Sequence, residues 1–296
     1  MEDLSNKNVI HIKGDKIEYL QFRKLLEYKD VIHHVYALGL DVGFKTTTAD
    51  QNPASPERME LARESYQKLC RCMGSNDVHI VQANQNHTDI IKIVQTKINV
   101  DEPDFSLTEK GIEDGLITNK KKLALATTNA DCILLLFFDP VKRVIANTHS
   151  GWRGTLQRIS IKTVQKMVKE FGSNPQDIIC CICPSIRKCH FEVNKDVKDM
   201  FEKEFYDLEN VTFIDIEKEN QEKTIQLTDF IEEKIENTKW NINTVLINKI
   251  LLQREGLNPE NIIDSGICSV CHSDGIHSYR IEKKNYNTET AVIELK

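Results

Sequence analysis

The chain has 296 residues, of which 40% are hydrophobic, so it is long enough to bury a substantial core. Its formal net charge is -6 and its lysines are interspersed with acidic residues, which leaves no basic face for a run of phosphates, and we expect no nucleic-acid partner. The polar N-terminal residues and the lack of a long apolar run predict no secretory signal and no membrane-spanning segment, and nine scattered cysteines suit reduced thiols in a cytoplasmic protein.

The first part of the chain is predicted to be an N-terminal edge segment, residues 1–30, ahead of a single domain, residues 31–296. Residues 8–12 have the pattern of a short strand and residues 19–28 that of a helix. An apolar strand follows from Val31 into a loop that reaches Gly43, and residues 56–73 form a helix. No repeat or linker divides the remainder, which favours one domain.

Residues 78–93 alternate between apolar and polar side chains, which predicts a hairpin whose polar turn covers residues 84–87. His87 then lies where a strand meets a loop. Judged alone, it is an ordinary solvated histidine. Asp114 and Gly115, further along, predict a turn that leads into the next pair of strands.

Residues 130–154 carry two side chains that can bind a metal, Cys132 and His149. The apolar run 133–138 predicts a core strand, Asp139-Pro140 suits the first two positions of a type I turn, and residues 144–146 begin an antiparallel partner. A turn centred just after Pro140 places Cys132 directly opposite His149. Cross-strand Cβ atoms lie about 4.5 to 5.5 Å apart, so the two side chains could share one zinc ion.

Two other interpretations of this pair remain open. Cys132 could be a buried structural cysteine beside an ordinary loop histidine. Alternatively, His149 could activate Cys132 as the nucleophile of a cysteine hydrolase, because a facing thiol and imidazole are what acyl transfer needs.

Residues 151–154 form a glycine-flanked loop ahead of a helix over residues 156–171, which Gly172 ends. Arg153 stands just before this helix. The helix N-terminus and the guanidinium could together bind phosphate or another anion. The alternative is that Arg153 pairs with a nearby carboxylate while Trp152 packs.

The C-terminal half has few residues whose pattern indicates chemistry. A buried strand covers residues 178–182, and its cysteines, together with Cys183 and Cys189, are interpreted as packed thiols because no second C-x2-C arm accompanies them. Cys268 and Cys271 could be a redox pair, but they lack the strand-to-helix setting that lowers a thiol pKa. Helices over residues 226–239 and 242–255 and a final strand over 290–295 complete the prediction.

Four motifs, in this order, resemble the YfiH-like, laccase-domain purine nucleoside phosphorylase family. They are Asn129-Ala-Asp-Cys132, Thr148-His-Ser-Gly-Trp-Arg-Gly154, Cys183-Pro-Ser-Ile-Arg-Lys-Cys189 and Cys268-Ser-Val-Cys-His272, the last of which is most similar to animal members. The irregular order of strands and helices favours an α/β fold with a mixed sheet. The resemblance, which extends from about His34 to the C-terminus, implies an αββα sandwich in a single domain.

The resemblance also implies a site. The family's pattern at residues 85–88 supplies a third ligand, so that zinc would be held by His87, Cys132 and His149 with a fourth position open. Cys132, His149 and Arg153 would be the catalytic residues. The implied substrates are phosphate and a purine nucleoside: phosphorolysis of adenosine, inosine, guanosine or methylthioadenosine, and deamination of adenosine. Asp131 could donate a proton to the purine only if the strand has not yet begun there, because an extended strand would point it away from Cys132.

The chain departs from the family pattern at several positions. Residues 37–43 lack the usual arginine followed by two glycines, Cys183 replaces a glycine, His277 replaces a phenylalanine, and residues 287–289 replace a Gly-Arg pair. A non-enzymatic scaffold or sensor that kept the fold is therefore a further alternative. A copper oxidase is the less favoured interpretation. A blue-copper site has a weak axial methionine ligand, and a multicopper cluster needs more histidines than these three.

Overall fold

The computed structural model describes residues 2–14, 17–40, 56–72, 74–75, 78–95, 105–108, 112–218, 221–234 and 238–296. Its strands are β1 (Val9–Lys13), β2 (Glu18–Phe22), β3 (Ile32–Leu38), β4 (His79–Gln82), β5 (Ile90–Ile93), β6 (Phe105–Leu107), β7 (Glu113–Thr118), β8 (Leu123–Asn129), β9 (Ile133–Asp139), β10 (Val144–Ser150), β11 (Ile179–Ile182), β12 (Glu192–Val193), β13 (Thr212–Asp215), β14 (Gln221–Thr224), β15 (Ile231–Lys234), β16 (Lys239–Ile242), β17 (Ile262–Asp264) and β18 (Glu289–Leu295). Its helices are α1 (Arg23–Leu26), α2 (Pro56–Cys72), α3 (Trp152–Leu156), α4 (Ile159–Phe171), α5 (Lys195–Glu204), α6 (Leu227–Phe230), α7 (Thr244–Arg254) and α8 (Tyr279–Glu282). Among these helices, none has both the length and the apolar character needed to cross a membrane.

Two mixed sheets form the centre of the fold. The larger sheet has the strand order β1-β2-β3-β18-β8-β4-β6, and the second has the order β17-β11-β9-β10-β7-β5. In the larger sheet β8 is antiparallel to β18 and parallel to β4. In the second sheet β11 is parallel to β17 and antiparallel to β9. The prediction of a mixed sheet is confirmed.

Strand β9 shows how the sheets pack. Leu134, Leu136 and Phe138 face the core between the two sheets, whereas the side chains between them face the opposite core, against α4 and α7. Successive side chains of a strand point to opposite faces, so a strand buried on both faces is apolar throughout. This is why the run 133–138 contains no polar residue.

Helices cover the outer face of each sheet. Tyr66 and Leu69 of α2 pack on the larger sheet, against side chains that include Val35 and Val292. Val164 of α4 and residues of α7 pack on the second sheet. The layers therefore run helix, sheet, sheet, helix, which confirms the expected αββα sandwich. A satellite cluster forms beside α7, around α5, α6 and the small sheet β12-β16-β15.

Two predicted helices are strands in the structure. Residues 19–28 begin with β2, in which Leu20 and Phe22 face the core between the sheets and Tyr19 faces the other side, followed by the single turn α1. Residues 226–239 contain the single turn α6 and then β15, which pairs with β16. In both segments, pairing with a neighbouring strand overrides a helix-like local pattern.

The predicted hairpin over residues 78–93 is also wrong. β4 lies in the larger sheet parallel to β8, whereas β5 lies in the second sheet parallel to β7. Two-residue alternation marks a strand but does not identify its partner, and both partners here are distant in sequence. Residues 83–89 consequently cross from one sheet to the other, and His87 lies on this crossing segment.

Asp114 and Gly115 are not a turn, because both lie within β7. A Cβ on Gly115 would be 2.8 Å from Cγ1 of Ile91 and 3.2 Å from Oγ1 of Thr148. Glycine at this position therefore permits close packing of β7 against its neighbours rather than a chain reversal.

Candidate metal centre

The hairpin β9–β10 has a register different from the predicted one. His149 lies opposite Leu134, so the pairing is displaced by two residues and Cys132 is not directly opposite His149. The reason is a longer turn: the Asp139 carboxylate accepts the backbone N–H groups of Val141 and Lys142, at 2.8 and 2.9 Å, and Arg143 has a φ of 52°. A shift of two residues keeps each side chain on its face, so Cys132 and His149 remain on the same side as diagonal neighbours.

Three side chains meet at the start of this hairpin. The possible ligand atoms of His87, Cys132 and His149 all lie within 4.8 Å of one another. Cys132 Sγ is 3.9 Å from His87 Nε2, and the two imidazole rings are 5.0 Å apart, centre to centre. Tetrahedral zinc with bonds of about 2.3 Å to sulfur and 2.0 Å to nitrogen needs S···N separations of about 3.5 Å. The three residues therefore lie close enough together to hold a single ion.

Asp114 orients two of these three residues. Its fully buried carboxylate accepts His149 Nδ1–H at 2.7 Å and the backbone N–H groups of Asn86, His87 and Thr88 at 3.1, 3.0 and 2.6 Å. Because Nδ1 of His149 is occupied, Nε2 is the nitrogen available to a metal. The Asp114-Gly115 pair has the local pattern of a turn, so the sequence alone does not indicate this role. A buried carboxylate behind a histidine is typical of metal sites.

Gly151 provides the close approach that the cluster requires. A Cβ at this position would be 2.8 Å from Cδ2 of His87, 3.1 Å from Sγ of Cys132 and 3.4 Å from Cε1 of His149. The backbone of Gly151 therefore forms one wall of the candidate site, and a larger residue would displace all three side chains.

The electrostatics of the cluster favour a thiolate. Desolvation opposes ionisation of Cys132, but the neighbouring His149 and His87 outweigh it and lower the pKa of the thiol to about 6. Desolvation likewise opposes protonation of His149, while Cys132 and Asp114 raise its pKa to about 10. Burial opposes ionisation of Asp114 too, but hydrogen bonds from His149 and Thr88 hold its pKa below its ordinary value. The anionic thiol is the form that binds a metal.

The helix predicted over residues 156–171 is divided in two. Arg158 has a φ of 58° and separates α3 from α4, and its guanidinium is held by Glu204 and Asp207. Arg153 therefore lies within the short α3 and not ahead of a long helix, so a helix dipole contributes little to anion binding there.

Arg153 is exposed and stacks on Trp152, with its guanidinium carbon 4.2 Å from the ring centre. No carboxylate of the described residues forms an ion pair with it. The backbone of α3 is tied to the metal candidates, because Gln157 Nε2 donates to the carbonyls of both Arg153 and His87, at 3.1 and 3.3 Å. The backbone of Arg153 is thus joined to that of His87 through Gln157, while its guanidinium lies over the ring of Trp152.

Asp131 is not a free proton donor. The strand begins only at Ile133, and Asp131 has a φ of 82°. Its carboxylate accepts the Ser269 hydroxyl at 2.6 Å and the Arg280 backbone N–H at 2.7 Å. These two hydrogen bonds join the turn that carries Cys132 to the C-terminal segment, and the Asp131 carboxylate is occupied by them.

Three departures from the family pattern meet at Glu289. Its carboxylate accepts the backbone N–H of Gly39 at 2.6 Å and that of His277 at 2.9 Å. Burial raises the pKa of Glu289 to about 7. Glu289 therefore joins the segment after β3 to the segment before α8, although residues 41–43 of the first departure lie outside the described residues.

The cysteines divide differently from the prediction. Cys180, Cys181 and Cys183 are buried, as expected of packed thiols. Cys189 is exposed and lies with His190, Cys268 and Cys271 in a second group of possible metal ligands. Residues distant in sequence form this group, which the spacing alone did not indicate.

Comparisons with known proteins agree with this fold and with the resemblance. Human "Purine nucleoside phosphorylase LACC1" is 28% identical over 240 residues, covering 80% of this chain and 48% of that protein, so the chain spans about half the length of this relative. "Purine nucleoside phosphorylase" of Bacteroides thetaiotaomicron is 27% identical over 275 residues, covering 92% and 94%. "Adenosine deaminase RL5" from an unknown prokaryotic organism is 25% identical over 204 residues, covering 68% and 69%.

The fold matches a solved structure. The "hypothetical protein YfiH" of Bacillus licheniformis superposes with a TM-score of 0.71 at 21% identity, over 94% of this chain and 96% of that one. The sequence pattern of a family described as "Multi-copper polyphenol oxidoreductase laccase" matches residues 48–296. Most of the chain is covered by this match, and the chain belongs to that laccase-domain family.

Proposed function

We propose that the protein is a zinc-dependent purine nucleoside phosphorylase that acts on adenosine, inosine, guanosine and methylthioadenosine and also deaminates adenosine. The observation that carries this proposal is the convergence of His87, Cys132 and His149, whose possible ligand atoms lie within 4.8 Å of one another; three ligands would leave one position of a tetrahedral zinc ion for water or substrate. Relatives named as purine nucleoside phosphorylases and as an adenosine deaminase support the two reactions.

The donor set favours zinc over copper. Two imidazoles, one thiolate and one open position are the arrangement of a catalytic zinc site, whereas multicopper oxidation requires many more histidines. Zinc bound there would supply Lewis acidity at the nucleoside.

The protein's own side chains have defined parts in this proposal. Asp114 accepts the Nδ1 proton of His149 and so directs Nε2 to the site, and the neighbouring histidines keep Cys132 ionised. Arg153, which forms no ion pair with a carboxylate of the described residues, would bind the phosphate that attacks the ribose. Phosphorolysis needs this anion and deamination does not, so the two reactions should depend differently on Arg153.

A cytoplasmic location is part of the proposal. None of the nine cysteines, all of which belong to the described residues, forms a disulfide, which suits a reducing compartment.

The test combines metal analysis with a nucleoside panel. Purified protein is expected to contain zinc and to convert inosine and phosphate to hypoxanthine and ribose 1-phosphate. Adenosine should yield adenine with phosphate and inosine without it. Cys132→Ala should lose both the zinc of this site and the activities, whereas Cys72→Ala, which removes an exposed cysteine outside the site, should retain them. Unchanged zinc in Cys132→Ala would refute the assignment.

One observation favours a second candidate, a cysteine hydrolase. The lowered pKa of Cys132 and the raised pKa of His149 describe the thiolate–imidazolium pair of a nucleophilic cysteine. Protein isolated without metal at this site, with a Cys132 thiol that reacts rapidly with iodoacetamide, would favour that function. Protein that holds zinc but forms no product from any nucleoside over hours would favour a scaffold.

A further inference from the structure

The second cysteine group lies where two loops meet at one end of the second sheet. Strands β11 and β17 are parallel neighbours, and the chain segments that follow them stay paired through Ser185 and Cys268. Ser185 N–H donates to the Ile267 carbonyl at 3.3 Å, and Ser269 N–H donates to the Ser185 carbonyl at 3.1 Å. Backbone hydrogen bonds therefore hold the two cysteine-bearing loops side by side.

An ion pair between Arg187 and Asp264 also holds the two cysteine-bearing loops together. The Arg187 guanidinium makes two contacts to the Asp264 carboxylate, at 2.7 and 2.9 Å, and its Nε donates to the Ile267 carbonyl at 3.0 Å. Arg187 and Asp264 flank the two loops at their starts. The cysteines are thus presented by a rigid framework rather than by two independent loops.

The atoms of this group have the spacing of a tetrahedron. Cys189 Sγ lies 3.6 Å from Cys268 Sγ and 3.9 Å from Cys271 Sγ. His190 Nδ1 lies 3.2, 3.7 and 3.5 Å from the sulfurs of Cys189, Cys268 and Cys271. Zinc bonds of about 2.3 Å to sulfur and 2.0 Å to nitrogen give tetrahedral edges of about 3.8 Å for S···S and 3.5 Å for S···N. The observed separations scatter around these values.

We propose that Cys189, His190, Cys268 and Cys271 form a second, structural zinc site. Three thiolates and one imidazole fill all four positions of a tetrahedral ion, which distinguishes this closed site from the three-residue cluster around Cys132. Soft sulfur ligands in this geometry select zinc among the common divalent cations. A divalent ion would neutralise the mutual repulsion of three thiolates, and its binding would release the protons of the thiols.

The site also braces the turn that carries Cys132. Ser269, next to Cys268, donates its hydroxyl to the Asp131 carboxylate, and the Asp131 carbonyl accepts Ile186 N–H at 2.8 Å. Both loops of the proposed zinc site therefore touch the residue that precedes Cys132. Loss of the ion should loosen this turn, so these four residues act on the candidate active site through position and not through contact with substrate.

The test counts metal ions in matched variants of the whole 296-residue chain. Wild type should contain about two zinc ions per chain, and Cys271→Ser and Cys132→Ala should each contain about one. Cys72→Ser, which removes an exposed cysteine outside both groups, should keep the wild-type content. Cys271→Ser should also have a lower melting temperature than Cys72→Ser. Each site is emptied by its own substitution. A missing zinc ion at the second site can therefore be distinguished from a missing zinc ion at the candidate active site.

Cobalt reconstitution of Cys132→Ala identifies the ligands without altering the second site. Co²⁺ should give the intense sulfur-to-cobalt absorption of a tetrahedral ion with three thiolates, and this measurement holds even if Cys271→Ser does not fold. No metal in Cys132→Ala, the same metal content in Cys271→Ser as in wild type, or a disulfide within the group in protein purified under reducing conditions would each overturn the proposal.

Discussion

At the scale of single residues, the candidate metal centre includes two side chains, His87 and Asp114, that local sequence patterns alone do not assign to it. His87 belongs to it because residues 83–89 cross between the sheets, and Asp114 belongs to it because β7 lies beside β10. Cys132 and His149 could be paired from the sequence because one hairpin joins them. Asp114 could not, since its partners lie 26 to 35 positions away and only the folded sheet brings them together.

Arg153 should affect one reaction and not the other. Arg153→Ala is expected to raise the KM for phosphate in inosine phosphorolysis by about tenfold or more, because a charge-assisted hydrogen bond contributes about 1.5 to 3 kcal/mol. Adenosine deamination without phosphate should stay near the wild-type rate, which serves as the internal control. The KM for phosphate of Arg153→Lys should lie between those of wild type and Arg153→Ala. An unaltered KM for phosphate would place the anion elsewhere.

Asp114 should control metal affinity without binding the metal. Asp114→Asn removes the charge that accepts His149 Nδ1–H and three backbone N–H groups, and loss of such a partner typically costs about 10- to 100-fold in affinity. Competition with a zinc chelator measures this change. Asp139→Asn is the matched control, because Asp139 is also buried and also accepts backbone N–H groups, in the β9–β10 turn. Equal zinc affinity in the two variants would contradict the role given to Asp114.

At the scale of elements, the sequence predicted the buried ones and failed where pairing is non-local. The run 133–138, helix α7 and the final strand can be identified because each is largely apolar and buried. The hairpin register was displaced by two residues because the Asp139 side chain builds a longer turn than Asp139-Pro140 suggested. β2 and β15 were taken for helix, since four or five residues show too little periodicity to separate the two structures.

Gly151 tests how tightly the start of α3 must approach the candidate metal centre. Gly151→Ala would place a Cβ within 2.8 Å of the His87 ring, and we expect loss of the metal at this site together with a destabilisation of about 1 to 3 kcal/mol. Metal content and the free energy of unfolding measure the two effects. Gly154→Ala, within α3, would meet Cγ2 of Ile159 at 3.3 Å and the carbonyl oxygens of Thr88 and His149 at 3.5 and 3.6 Å, but none of the three candidate ligand side chains, and should retain the metal. If Gly151→Ala kept its metal, the cluster would be looser than its geometry indicates.

At the scale of the whole molecule, the αββα sandwich could be expected from the resemblance but not from local patterns. Leu125 and Leu136 both face the core between the sheets but belong to different sheets. Their separation along the sequence does not indicate this. The second group of cysteines was missed for the same reason: its members come from loops that only the parallel pairing of β11 and β17 brings together.

Glu289 should make the stability of the whole fold depend on pH. Burial raises its pKa to about 7 from an ordinary value of 4.5, so the folded state holds a proton that the unfolded state has lost between these values. Stability from this group is therefore complete below pH 4.5 and is lost as the pH rises through 7, by up to about 3 kcal/mol. Unfolding of wild type and Glu289→Gln should be compared from pH 5 to pH 8. If the free energy of unfolding depended on pH in the same way in both proteins, Glu289 would not titrate as described.

The position of β18 has a consequence for biosynthesis. The last strand pairs with β3 on one side and with β8 on the other, in the middle of the larger sheet. Residues 289–295 are translated after all the other strands of that sheet. Until then, β3 and β8 lack the strand that lies between them in the folded protein. The edges that β18 later covers have no partner strand during this interval, the condition in which chaperones are needed, and closure of the sheet has to follow synthesis of residues 289–295.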